Sequence, residues 1–318
     1  MLERYLMRIL SVLMLMALTA SCGIKPLATN QLVFDSSRTG NHEIFVMNTD
    51  GTSVEQLTKD AAYENWWPRI SPNRTKVLFY RSPAGNPENY GEASLWLMNA
   101  DGTGVTQLRG KGSNGWVLQG HGEWSPDGSK IAMFGSAGSA LEIFVTDAKG
   151  KNPVQYTNRG GINTDVSWSP DGTKLLFNGC PDMPCVPDNY EIYMMSATPF
   201  SAETRLTFNT LADYDPYFSP DGSKIAWLVN TDPTANTLPI FPYTALGRWA
   251  ISLADADGSN EIYLIDDGNI NSKPAWSIDG QTIFFHRMVP PDYRFRVFRI
   301  GKDGSGMTEL SIGEHPSN

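Results

Sequence analysis

A four-residue turn, repeated along the chain, limits the fold more than any other feature of the sequence. Full copies of Ser-Pro-Asp-Gly begin at residues 125, 169 and 219, and degenerate copies begin at 71 and 277. Pro presets the second position of a type I turn, Asp suits the third, and Gly closes the fourth. Successive copies lie 44 to 58 residues apart, at or above the length of a four-stranded propeller blade, about 40 to 50 residues. The repeat therefore predicts a β-propeller with some lengthened loops.

A second element, an alternating strand that commonly begins with Glu-Ile, recurs six times. Most copies end in Asp-Gly, a strong hairpin signal between alternating strands. The predicted third strands of the blades are 43–47, 94–98, 142–145, 191–195, 249–253 and 296–300. The aromatic residues that precede the turns are expected to pack between blades; they are Trp124, Trp168, Phe218 and Trp276.

Six third strands against five turns indicate that one blade lacks its own first strand. The first predicted strand, 32–34, corresponds to a second strand, whereas residues 313–318 resemble the approach to a first strand. Pairing the two would close the ring and hide its edges. We expect an all-β, six-bladed β-propeller of four-stranded antiparallel blades over residues 31–318, closed by one blade shared between the N- and C-terminal ends.

The beginning of the chain is typical of an export signal. Two arginines precede an apolar run at 9–18 that is too short to remain in a bilayer as a spanning helix. Leu18-Thr19-Ala20-Ser21-Cys22 resembles a bacterial lipoprotein signal, in which Cys22 is lipidated and becomes the first residue; an ordinary cleavable signal is the alternative. We expect a signal peptide at 1–21, a tether at 22–30, and a lipid-anchored, periplasm-facing envelope protein. Gly23, which is not the aspartate of inner-membrane retention, favours the outer membrane.

The other two cysteines, Cys180 and Cys185, lie close together in the sequence. Because an exported protein meets an oxidising compartment, we expect them to form a loop disulfide. A zinc site would need further ligands, and no histidine is near this segment.

The order of aromatic residue, Ser-Pro-Asp-Gly, apolar strand, Glu-Ile-Tyr or Glu-Ile-Phe strand, Asp-Gly and Leu-Thr resembles the WD40-like repeats of TolB-type propellers. The resemblance covers about residues 31 to 318. It implies a propeller but no particular chemistry, since such repeats occur in periplasmic scaffolds and in peptidases. The α/β domain that precedes the propeller in TolB is not expected here, because the first predicted strand follows the leader closely.

Several classes of function have no support in the sequence. A net charge of −9 would repel a phosphate backbone, so nucleic acid is not an expected partner. The sequence contains neither the Gly-x-Ser-x-Gly elbow of a serine hydrolase nor His-Glu-x-x-His. We predict a monomer that is not an enzyme, with no catalytic residues, no cofactor and no metal site.

One set of positions stands out as a candidate binding site. Three residues before each aromatic residue that precedes a turn, the chain places a polar or aromatic side chain, and equivalent positions in consecutive blades form a ring around the axis. We call this set the axial ring: Trp67, His121, Asp165, Asp215, Lys273 and His315. The fold does not call for such side chains, whereas interfaces use this mixture. We predict a partner-binding site at the channel mouth; alternatively, these residues only solvate the channel and cap loops.

The resulting functional hypothesis is a scaffold that binds an envelope protein or peptide and touches the membrane through its lipid anchor only. The alternative is a carbohydrate-active, lyase-like enzyme or a glycan-binding propeller with its site in the central channel. For this alternative, aromatic residues of the insertion between 230 and 248, including Phe241 and Tyr243, would supply a lid.

We predict that Cys22 is the first residue of the mature protein and carries lipid. Mass spectrometry of membrane-purified protein should find the lipid on this residue, and Cys22→Ser should leave the precursor unlipidated and unprocessed. An unmodified Cys22 in the membrane fraction would contradict the prediction.

Overall fold

The computed structural model describes residues 24–180, 190–232 and 247–318. The predicted signal peptide with Cys22, Cys185, and the proposed lid residues lie outside this part of the chain. The described residues form 24 strands in six antiparallel sheets of four. These sheets are the blades of a six-bladed propeller, which confirms the predicted fold.

Within each blade the strands run in order from the axis outward. The first, innermost strands are β4 (Tyr63–Ile70), β8 (Gln119–Trp124), β12 (Asn163–Trp168), β16 (Ala212–Phe218), β20 (Asn271–Trp276) and β24 (Glu314–Ser317). The second strands are β1 (Gln31–Ser36), β5 (Lys76–Pro83), β9 (Lys130–Ala137), β13 (Lys174–Gly179), β17 (Lys224–Asn230) and β21 (Thr282–Val289). The third strands are β2 (Glu43–Asn48), β6 (Ser94–Asn99), β10 (Ala140–Asp147), β14 (Glu191–Ser196), β18 (Trp249–Asp255) and β22 (Arg294–Gly301). The outer strands are β3 (Glu55–Gln56), β7 (Thr106–Arg109), β11 (Val154–Gln155), β15 (Glu203–Arg205), β19 (Ile262–Ile265) and β23 (Thr308–Ile312).

The two ends of the chain share one blade, as the count of repeats predicts. β24 pairs antiparallel with β1, with Val33 opposite Ser317 and Asp35 opposite Glu314. Blade 1 is therefore β24, β1, β2 and β3, and blades 2 to 6 follow in chain order. This pairing covers the inner edge of β1, which would otherwise expose unpaired backbone groups.

The Ser-Pro-Asp-Gly turns hold their shape through their own side chains. In the copy at 125–128, the Ser125 hydroxyl donates to Asp127 at 2.6 Å and accepts from the backbone N–H of Lys130 at 2.9 Å. Gly128 has φ 70°, a left-handed conformation that glycine adopts without steric cost. A Cβ at Gly128 would lie 3.7 Å from Pro72 of the preceding turn. Consecutive turns therefore touch one another around the axis.

The Glu-Ile and Leu-Thr motifs of the repeat link each blade to the next. Between blades 1 and 2, the carboxylate of Glu43 accepts from the hydroxyl of Thr58 at 2.5 Å and from the side-chain amide of Asn65 at 2.8 Å. Between blades 3 and 4, Glu142 accepts in the same way from Thr157 and Asn163. All of these residues are buried, so their polar groups are shielded from water and form hydrogen bonds with one another instead.

Apolar side chains fill the space between neighbouring blades. The largest cluster runs through blades 2, 3 and 4 and includes Trp66, Phe134 and Phe177. The only helical segment of the described residues is a short 3-10 turn, Ser113–Gly115, so none of them forms a helix long and apolar enough to cross a membrane.

We predict that removing residues 313–318 destabilises the propeller far more than the loss of a six-residue tail would. The deletion exposes the inner edge of β1 and removes buried His315 and Ser317. The melting temperature should fall by about 10 °C, since one kcal/mol corresponds to about 2 °C in a domain of this size. Removing 24–26, which lie outside every strand, is the control and should change the melting temperature little. Equal melting temperatures for both deletions would show that β24 does not close the ring.

Candidate functional site

All six residues of the axial ring share a backbone conformation that the sequence did not reveal. Their φ angles lie between 47° and 55°, in the left-handed region. At each of these positions the pairing between the first and second strands shifts register, as between Trp66 and Arg69 or between Gly120 and Glu123. A non-glycine residue pays a steric cost in this conformation, and such residues cluster at functional sites. The bulge turns the side chain out of the blade and towards the axis.

The ring side chains contact one another, as their equivalence predicts. The rings of Trp67 and His121 stack with centroids 4.0 Å apart and an interplanar angle of 2°. The ammonium of Lys273 lies 3.7 Å from the centre of the Trp67 ring and 2.6 Å from an oxygen of Asp215. Nδ1 of His121 and Oδ1 of Asp165 are in direct contact. The six blades thus meet at one polar and aromatic hub.

The structure corrects one part of the expectation for this ring. Every member is buried, with His121 the most exposed at 8%. The side chains contact one another in the interior instead of standing open to solvent at a channel mouth. The role of the ring in binding a partner stays a prediction.

A network of histidines and carboxylates joins the ring to the shared blade. Asp35, on β1, accepts from His315 at 2.8 Å, contacts Nδ1 of His42 at 3.0 Å, and accepts from the backbone N–H of Trp67 at 3.2 Å. Nε2 of His315 lies 3.3 Å from Glu88. One buried carboxylate therefore fastens β24 and the loop before β2 to the axis.

These contacts shift the pKa of each group in the network. Burial alone would raise the pKa of Asp35, but the charges and hydrogen bonds of His315 and His42 outweigh it and lower that pKa. Burial alone would lower the pKa of His42, but the hydrogen bond to Asp35, with nearby Glu314, raises it to about 10. Burial and the neighbouring Glu88 raise the pKa of Glu314 to about 7. At neutral pH, Asp35 and His42 are therefore held as a charged pair.

A second group at the axis escaped the sequence analysis. Two residues after the ring positions of their blades, Arg69, Glu123 and Tyr217 form a closed triad. The Arg69 guanidinium pairs with Glu123 and donates to the Tyr217 hydroxyl at 2.9 Å, and that hydroxyl donates to Glu123 at 2.9 Å. The residue type differs among these three positions, and the bulge changes which side chains face the axis. Their spacing of two residues from the ring was the one available signal.

The triad forms the floor of a funnel on the face that carries the turns. The funnel has a volume of about 590 Å³. Besides the triad and Lys273, its wall includes turn prolines and the residues that precede them: Ile70, Pro72, Trp124, Pro126, Pro170, Phe218, Pro220, Trp276 and Ile278. Residues 316–318 complete the wall.

The aromatic residues before the turns have a second role that the sequence analysis did not predict. As predicted, they join blades: the indole N–H of Trp168 donates to the backbone oxygen of Glu123, and that of Trp276 donates to the backbone oxygen of Tyr217, both at 3.3 Å. In addition, Trp124, Phe218 and Trp276 face the funnel. Packing between blades and lining a cavity are therefore not exclusive.

Two groups of the described residues have the composition of a metal site, although the sequence analysis predicts none. They are His121, Asp165 and Asp215, and His286, Glu314 and His315. The predicted disulfide falls partly outside the description: Cys180 is buried and disulfide-bonded, whereas Cys185 lies outside the described residues. Its pairing with Cys185 stays a prediction.

We predict that His42→Gln costs most stability near pH 6 and less as the pH rises towards 10. Because the pKa of His42 is raised by folding, its contribution is fully present below the unfolded value, about 6.5, and is lost as the pH rises through about 10. Urea unfolding of wild type and variant across pH 5 to 10 measures the difference, and the whole profile is compared because Glu314 titrates near 7. A destabilisation that does not vary over this range would refute the charged pair.

No family model matches the chain. It is 26% identical over 205 residues to an uncharacterised protein of Agrobacterium fabrum, a match covering 63% of this chain and 64% of that protein. It is 28% identical over 151 residues to the TolB homologue of Chlorobium luteolum, covering 46% of this chain and 31% of the homologue. The chain thus spans less than two thirds of the length of these relatives.

Solved structures share the fold at low sequence identity. TolB from Acinetobacter baumannii has a TM-score of 0.70 and 19% identity, with 93% of this chain and 68% of that chain covered. A putative TolB from Agrobacterium tumefaciens has a TM-score of 0.64 and 20% identity, with 90% and 91% covered. With the repeat and the six closed blades, these likenesses show that the chain has a six-bladed β-propeller fold similar to that of TolB.

Proposed function

We propose that the protein is a non-catalytic scaffold of the bacterial cell envelope, which binds a protein or peptide segment in the funnel on its turn face. The observation that supports this most is the funnel itself, a cavity of about 590 Å³ on the axis of the propeller. Ligand sites are commonly concave, mostly apolar and furnished with a few fixed polar groups. The funnel has each of these properties.

The wall and floor of the funnel favour a polypeptide partner. Tryptophan, tyrosine and arginine are enriched where interfaces concentrate their binding energy, and Trp124, Tyr217 and Arg69 all line this cavity. The prolines of the rim hold rigid turns, so binding orders little additional backbone. At the floor, the triad presents both a donor and an acceptor. An extended segment that brings one apolar side chain to the wall and a polar group to the floor fits this arrangement.

The envelope location rests on two independent supports. The beginning of the sequence has the pattern of an export signal that ends at Cys22, and the propeller is like that of TolB. We propose a lipid anchor at Cys22, with the propeller facing the periplasm at the outer membrane. Anchoring would hold the scaffold near other envelope proteins and raise their effective concentration.

The alternative of a glycan site in the central channel has less support. Such a site needs open space along the axis, whereas the axial ring fills this region with buried side chains in mutual contact. The funnel, a cavity open to solvent, lies instead on the turn face.

The proposal predicts that a photo-crosslinking residue in the funnel captures a partner in intact cells. Trp124 is the chosen position because it lines the funnel and is partly exposed. Tyr263 on the outer strand β19, which is 47% exposed, is the control. The same envelope protein should be captured repeatedly from position 124 and not from 263. Capture from position 263 alone would place the binding surface on the outer strands of the propeller and refute binding in the funnel.

Affinity measurements then test the identified partner. Trp124→Ala should weaken its binding by about 2 kcal/mol or more, the loss typical of a hot spot, while Tyr263→Ala should leave it unchanged. Thermal unfolding of both variants shows whether each remains folded. Unchanged affinity in a folded Trp124→Ala variant would remove this residue from the interface.

A further inference from the structure

We propose that His121, Asp165 and Asp215 of the axial ring bind one divalent transition-metal ion, which joins three consecutive blades at the hub. The three residues come from β8, β12 and β16, the innermost strands of blades 3, 4 and 5. Their ligand atoms all lie within 4.8 Å of one another. Two ligands of one ion with bonds of about 2.2 Å lie at most about 4.4 Å apart, so the group is close enough to share an ion once Nδ1 of His121 and Oδ1 of Asp165 move apart to admit it.

Each of the three side chains has one atom fixed by a protein partner. Nε2 of His121 lies 2.6 Å from the hydroxyl of Tyr90. One oxygen of Asp165 lies 3.1 Å from the amide nitrogen of Asn178, in the amide orientation that satisfies both groups. One oxygen of Asp215 is 2.6 Å from the ammonium of Lys273. Outer partners of this kind orient metal ligands.

Of the remaining atoms, two face each other and one has no partner. Nδ1 of His121 faces Oδ1 of Asp165. Oδ2 of Asp215 has no hydrogen-bond partner, although the residue is 1% exposed. A buried carboxylate oxygen without a partner is costly, because it has lost its water and gained nothing in exchange. A metal ion at the shared point would satisfy all three atoms.

The charges at this place also favour a cation. Asp165 and Asp215 bring two carboxylates into the interior, and the ammonium of Lys273 pairs with Asp215.

The donor set selects the kind of ion. One imidazole nitrogen with two carboxylate oxygens suits zinc, cobalt or manganese, whereas calcium and magnesium prefer sites made of oxygen alone. The second group, His286, Glu314 and His315, offers two imidazoles. Its His315 is already engaged by Asp35, so we assign the ion to the first group. This inference is independent of the proposed function of the funnel.

Calorimetry with metal-stripped protein and Zn²⁺ or Mn²⁺ tests the site. We expect one ion per chain. Asp165→Asn should weaken metal binding at least 100-fold, because losing a residue that only orients a ligand already weakens it by about 10- to 100-fold. Asn keeps the shape of Asp165. The matched control is Glu314→Gln in the second group, which should bind like wild type. Absence of binding to wild type, or binding lost in Glu314→Gln but kept in Asp165→Asn, would overturn the proposal.

A spectroscopic measurement on unaltered protein keeps the proposal testable if the variants do not fold. Electron spin echo modulation from bound Mn²⁺ counts coordinating imidazole nitrogens. One nitrogen is expected from His121, whereas two would assign the ion to His286 and His315, and none would indicate an adventitious surface ion. Either of the last two outcomes would refute the site.

Discussion

The pairing of β24 with β1 is the interaction on which the rest of the structure depends. In a propeller the two faces of each blade pack on its two neighbours, so an open ring would leave two blade faces and a strand edge exposed to water. Here the closing strand is short, and its backbone bonds are reinforced by side chains. Asp35 of β1 holds His315 of β24 and the backbone of Trp67 at the start of blade 2. One carboxylate therefore connects both sides of the junction where the ends of the chain meet.

Different motifs of the repeat make different contacts between blades. The Glu-Ile and Leu-Thr motifs connect neighbouring blades through buried hydrogen bonds, as Glu43, Thr58 and Asn65 show. The turns touch around the axis through Gly and Pro. Because these recurring contacts establish the ring, the bulged position of each first strand is free to differ between blades. The variation at the hub, from Trp67 to Lys273, is possible for this reason.

The sequence predicts the fold well because the same turn and strand motifs recur from blade to blade. Where one copy of a motif is degenerate, the other copies still indicate the blade. Even the shared blade follows from counting, since six third strands cannot be reconciled with five turns. The equivalence of the axial positions is predicted for the same reason. The sequence does not show the bulge. A left-handed residue within a strand has no sequence signature when the residue at that position is Trp in one blade and His, Asp or Lys in others. Without the bulge, neither the burial of the ring nor the inward position of Arg69, Glu123 and Tyr217 can be foreseen.

The hub and the funnel are adjacent, and this has a thermodynamic consequence. Lys273 lines the funnel and also pairs with Asp215 beside the inferred metal site. A cation bound by Asp215 would repel the ammonium of Lys273 and weaken that ion pair, which changes the charge presented at the funnel floor. Two ligands that bias one group are coupled, and the coupling is reciprocal: if the metal alters the affinity of the funnel for its partner, the partner alters the affinity of the hub for the metal by the same factor. If both sites are occupied as proposed, the buried ion pair between Lys273 and Asp215 would couple them, and the ring of Trp67 packs against the same ammonium.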